Sequence, residues 1–137
     1  MAEGEGAADT RWSRVLCVVA LAFTIALGLG SRRLHLGVHL WDKSLGDALY
    51  TVMVYELAFF VRPRAEPLRL GVVAFAISFV IELFQLTGIP EDAPRPLQLV
   101  LGTTFGWHDV LCYAVGAALV TAGHQLVRKL GRPRKIA

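Results

Sequence analysis

Residues 78–89 read SFVIELFQLTGI. The stretch is apolar enough to lie in a bilayer, yet it sets Glu82 and Gln85 three residues apart, on one face of a helix. Extended in both directions, the apolar run covers 68–89, close to the ~20 residues that cross hydrocarbon. Three further runs, 15–29, 45–61 and 107–127, have the same character. A soluble chain of 137 residues could bury a core without four such runs. The sequence therefore predicts an all-α fold, a polytopic membrane bundle of four transmembrane helices. Residues 1–13 are expected to form a disordered N-terminal tail, 14–127 the transmembrane domain, and 128–137 a basic cytoplasmic tail.

Composition agrees. Mean hydropathy is +0.52 and charged residues make up 18% of the chain, below the roughly 25% of soluble domains. The net charge of +3 does not indicate nucleic acid. The basic residues cluster at the ends of apolar runs, as in RPR at 62–64 and RKLGRPRK at 128–135, and do not spread over a solvated face. Cys17 and Cys112 lie inside predicted spans without a CxxC pair or metal-ligand spacing, so buried free thiols are expected. Arg11 and Arg14 followed by an apolar stretch ending in ALG also fit a signal peptide. With three more spans downstream, a retained first helix is the simpler reading.

The connections are legible too. Residues 31–44 form a loop expected to hug the interface, with Trp41 as an anchor. RPRAEP at 62–67 is a tight turn in which Pro63 and Pro67 break both helices. PEDAPRP at 90–96 opens the longest loop. The apolar PLQLVLG at 96–102 is too short to span and reads as an interfacial or re-entrant piece.

Orientation follows from Lys and Arg near the span ends. One side holds Arg11, Arg14, Arg62, Arg64, Arg69, Arg128, Lys129, Arg132, Arg134 and Lys135; the other holds Arg32, Arg33, Lys43 and Arg95. Ten against four, of fourteen in total, puts both termini in the cytoplasm. Asp47, Glu82, Gln85, Asp109 and Tyr113 then share a band of roughly 10 Å just below the outer surface, drawn from three helices. Asp109, Tyr113 and Gly116 follow i, i+4, i+7 spacing, and Gly116, Ala117 and Gly123 permit close packing.

A charge at membrane depth costs roughly 2.5–3.5 kcal/mol on the insertion scale, which makes it a functional-site candidate. Plainer readings stand beside it. Asp47 and Asp109 could serve the dipoles of the helices they begin. Glu82 is mid-span and could be a structural partner of Arg95. Glu56, on the far face of the second span, is expected to snorkel toward Arg62, Arg64 or Arg69. His35 and His39 have metal-compatible spacing but read as solvated interfacial histidines. Tyr55 and Trp107 read as packing or aromatic-belt residues.

The pieces LGDALYTVMVY at 45–55, ISFVIELFQL at 77–86, Arg95 in the next loop, and LGTTFGWHDVLCYAVGA at 101–117 occur in this order. The chain resembles a bacterial membrane family, the domain-of-unknown-function family numbered 2809, which is distantly similar to VanZ-like proteins. The resemblance covers roughly residues 15–125. It singles out Asp47, Glu82, Gln85, Arg95, Trp107, Asp109, Tyr113 and Gly116; the VanZ pattern commonly has Asn where this chain has Tyr113. It implies a multi-pass protein of the bacterial cytoplasmic membrane and cell envelope, and names no reaction.

Three functions fit. The first is a polar site facing the outer leaflet, built from Asp47, Glu82, Gln85, Arg95, Asp109 and Tyr113, with His108 and Trp107 as weaker members. One acid would donate a proton, and Arg95 would hold an anionic group of a lipid-linked envelope ligand. The second is a small transporter or proton-coupled carrier, which the polar band suits poorly if it stops in the outer half. The third is an assembly protein, whose polar groups only lock helices together. No Ser–His, Cys–His or HExxH pattern names a nucleophile or a metal, and no cofactor is expected. The bilayer is the expected partner, and a homo-oligomer is compatible.

Overall fold

The computed structural model describes residues 2–33, 43–102 and 104–131, and every element among them is helical. The order is α1 (Ala2–Arg33), α2 (Leu45–Val61), α3 (Pro67–Gln85), a 3-10 turn (Ile89–Asp92), α4 (Arg95–Leu101) and α5 (Trp107–Leu130). Three helices are long and apolar enough to cross a membrane: Ser13–Ser31 within α1, all of α3, and all of α5. The expected fourth span, α2, has 17 residues, or about 26 Å at 1.5 Å per residue. That falls short of a ~30 Å hydrocarbon core. A π-helical turn at Lys43–Ser44 leads into it.

α1 begins at Ala2, where AEGEGAAD is rich in the helix formers Ala and Glu. His35, His39, Trp41, Arg132, Arg134 and Lys135 lie outside the described residues.

α2 is central. It packs against α1, α3 and α5, whereas α1 contacts only α2 among the described elements. Val54, Tyr55, Leu70 and Ala74 form the apolar core, joined by Phe59 and Val120. Leu16, Phe23, Leu68, Val72, Val80, Leu111 and Leu119 point outward and are well exposed. A soluble monomer rarely carries that much continuous apolar surface, whereas lipid accepts it. Helix α5 closes on α2 through Gly116, where an added Cβ would run into the Ala48 carbonyl oxygen.

The breaks in the chain have local causes. Pro67 sits in the first turn of α3, where its missing N–H costs nothing. The apolar segment after Pro94 is α4, a seven-residue helix too short to span. Gly102 ends it at φ +71°, and a Cβ there would also stand 2.6 Å from Gln85 Nε2. That glycine both turns the chain and lets it lie against the end of α3.

Candidate functional site

The antiparallel helices bring the start of α2, the end of α3 and the start of α5 to one end of the bundle. Glu82 lies at the centre of this meeting point and is 0% exposed. Its Oε2 accepts from the Tyr113 hydroxyl at 2.9 Å and from Gln85 Nε2 at 3.0 Å. Its Oε1 accepts from the Gly106 backbone N–H at 2.7 Å. Gln85 Nε2 and the Gly106 N–H are donors, so both oxygens of the Glu82 carboxyl accept here.

Each donor is positioned by its own element. Gln85 is one turn beyond Glu82 on α3, and its Nε2 also donates to the Leu101 carbonyl at 2.7 Å. This ties α3 to the end of α4. Gln85 Oε1 is buried without a hydrogen-bond partner among the described residues. Gly106 is the extended residue before α5. Its backbone N–H serves Glu82 while Asp109, in the first turn of α5, folds back within 3.1 Å of where its Cβ would be. Tyr113 stands one turn deeper, with Tyr50 of α2 against its ring at 6.1 Å between centroids.

The cation at this site is Lys43. Its Nζ lies 3.0 Å from Asp109 Oδ1. The hydrogen bond to Asp109 pushes the Lys43 ammonium above its ordinary pKa; burial opposes this, and the negative fields of Asp109, Asp47 and Glu82 add to it. Asp47, half-buried in the first turn of α2, is the third carboxylate whose negative field reaches Lys43. Sequence reasoning offered Arg95 as the partner of Glu82. Arg95 is instead exposed at the first residue of α4, and the ion pairs found among the described residues are Lys43–Asp109 and Glu66–Arg69. Pro94 and Pro96 flank Arg95 at the start of this short helix. Lys43 counted in the sequence only toward orientation because it closes a loop; its place four residues before Asp47 was the available signal for the site.

The two weaker candidates separate. Trp107 is exposed and meets Phe105 edge-on at 5.3 Å, as suits an aromatic at a membrane surface. His108 touches a residue that the sequence did not suggest: its Nε2 is 2.7 Å from Ser44 Oγ and 3.5 Å from Cys112 Sγ.

Polar groups also continue into the other half of the bundle, against expectation. Thr51 donates to Ser78 at 3.1 Å with both residues 0% exposed. The Tyr55 hydroxyl and His124 Nδ1 are 2.6 Å apart, with Phe59 edge-on to the same imidazole. Tyr55 is thus a core residue with a polar tip. Glu56 does not reach toward the arginines of the turn; its Oε1 accepts from Thr24 of α1 at 3.0 Å, and its backbone carbonyl accepts from the Cys17 thiol. This is how α1 is fastened to α2.

An apolar groove of about 240 Å³ lies between α1 and α2, lined by Gly28, Leu29, Gly46, Tyr50 and Met53, with Val100 of α4 beside it. Among the described residues, no group of three or more His, Cys, Asp or Glu is close enough to hold a metal ion.

A family model described as "Protein of unknown function (DUF2809)" matches residues 37–117. The matched segment includes every residue of the cluster from Lys43 to Tyr113. No solved structure matches the chain.

Proposed function

The chain belongs to the DUF2809 family, and on that premise we propose a VanZ-like, four-span protein of the bacterial cell envelope with a carboxylate-centred site opening toward the outer leaflet. Both termini are cytoplasmic in this reading, and α2, shielded by three neighbours, is the fourth span. The carrying observation is Glu82: a fully buried carboxylate held by three donors from three segments, with Asp47, Asp109 and Lys43 beside it. Burying an acid costs several kcal/mol unless it is well paired, and apolar side chains would join the helices more cheaply.

The geometry alters the expected ligand. Three carboxylates and one ammonium, with Arg95 exposed on α4, form a poor cradle for a phosphate. The open acceptor on Gln85 and the excess negative charge suit a head group that brings hydroxyl or amine donors. Native mass spectrometry of the protein in nanodiscs, offered lipids with polyol, amine or phosphate head groups, tests this. Selective retention of polyol or amine lipids, lost in Glu82→Gln, is expected; preferential retention of phosphate lipids would contradict it.

A carrier is the second reading. The Thr51–Ser78 and Tyr55–His124 pairs support it by adding polar groups between the Glu82 cluster and the opposite face. Proton flux into liposomes holding the purified protein, abolished by His124→Phe, would favour the carrier over the outer site.

A further inference from the structure

Ser44 and His108 are 64 residues apart in sequence, yet Ser44 Oγ and His108 Nε2 are 2.7 Å apart. The pair sits where α2 and α5 begin. The residues next to them, Lys43 and Asp109, form the ion pair described above. Two adjacent cross-links therefore hold these helix starts in register. Ser44 is 8% exposed whereas His108 is open to the surroundings. A hydroxyl held inside, bonded to an accessible imidazole, is the arrangement of a nucleophile with its general base. Cys112 Sγ stands 3.5 Å from the same nitrogen.

We infer that Ser44 is a nucleophile activated by His108, and that the pair cleaves a carboxylic ester of a membrane amphiphile. Depth selects the substrate class. Ser44 directly precedes the apolar helix α2 and His108 is the second residue of α5. Both therefore stand where hydrocarbon gives way to head groups, the level of a lipid's ester carbonyls. With the imidazole proton on Nδ1, Nε2 takes the Ser44 proton as Oγ bonds to the ester carbon. Collapse of the tetrahedral adduct breaks the bond from that carbon to the alcohol oxygen, and the proton passes from Nε2 to the departing alcohol. Water then attacks the acyl-serine, giving its proton to Nε2, and the released carboxylic acid leaves Ser44 reprotonated. The inference uses the proposed membrane placement for the substrate's depth and needs nothing from the Glu82 carboxylate.

The test is covalent labelling of the purified full-length protein in mild detergent with a fluorophosphonate, the adduct being located by mass spectrometry. The wild type should label at Ser44. Labelling should vanish in Ser44→Ala, slow about a hundredfold in His108→Ala, and persist in Ser31→Ala, whose hydroxyl bonds only its own helix. Hydrolysis of p-nitrophenyl butyrate should follow the same order. A wild-type protein without an adduct, an adduct on another residue, or equal labelling in His108→Ala would each overturn the inference, and none of them requires a variant of Ser44 to fold. Loss of head-group selectivity in Glu82→Gln is read from lipid retention, so the two readings fail separately.

Discussion

Tyr113 of α5 donates its hydroxyl to Glu82 of α3 across 2.9 Å, and both residues are buried. This bond joins the two helices at a fully buried carboxylate. Tyr113→Phe keeps the ring but leaves Glu82 with two donors. It should cost on the order of 1–2 kcal/mol, read as loss of thermal stability in detergent. In Glu82→Gln the bond is already weakened, so adding Tyr113→Phe should cost less than it does in the wild type. Additive losses would mean that the two side chains are not coupled.

Close packing of α5 on α2 gives a sharper contrast. An added Cβ at Gly116 meets the Ala48 carbonyl, whereas Gly123 has nothing within 4 Å. Gly116→Ala should destabilise by roughly 1–3 kcal/mol through overpacking. Gly123→Ala should be neutral or slightly stabilising by helix propensity. Thermal unfolding of the two variants side by side checks this, and equal stability would contradict the α2–α5 approach.

The Lys43–Asp109 pair predicts an alkaline transition. The folded-state pKa of Lys43 is raised above its ordinary value of 10.5. Its contribution is therefore fully present below that value and is lost as pH rises through the higher folded value. The Lys43 side chain is 51% exposed, so solvent screens the pair and the effect should be small. Melting temperatures measured from pH 9 upward should fall more steeply for the wild type than for Lys43→Met. Parallel curves would show that the ammonium gains nothing from Asp109.

Much of this arrangement was legible in the sequence because it follows helical spacing. The three-residue step from Glu82 to Gln85 and the four-residue step from Asp109 to Tyr113 put donors and acceptors on facing surfaces before any coordinates are known. Three features were not legible. The partner of Asp109 depends on how a loop returns to the bundle, and a loop has no periodicity; the sequence offered Arg95 as a partner for Glu82 and none for Asp109. The Gly106 N–H donated to Glu82 is a backbone group, invisible to any reading of side-chain types. The Ser44–His108 and Tyr55–His124 bonds join residues 64 and 69 positions apart, and only the packing of α2 on α5 brings them together.

Orientation rests on ten basic residues against four and has a direct check. Single cysteines placed at 90–94, in a background with Cys17 and Cys112 replaced, should react with an impermeant maleimide in intact cells. A cysteine at Ala65 should react only after lysis. The opposite pattern would turn the Glu82 cluster toward the cytoplasm.

The central claim is that the acids serve a site and do more than hold helices together. Amides are cheaper to bury than carboxylates, so Glu82→Gln, Asp109→Asn and Asp47→Asn should still yield inserted protein. The decisive measurement is complementation of a deletion strain by each variant at matched membrane abundance, scored as survival under cell-wall-active antibiotics and envelope stress. The account predicts that the variants accumulate normally and fail to complement, Glu82→Gln most severely. Full complementation by all three would contradict it and leave a polar cluster whose only role is assembly.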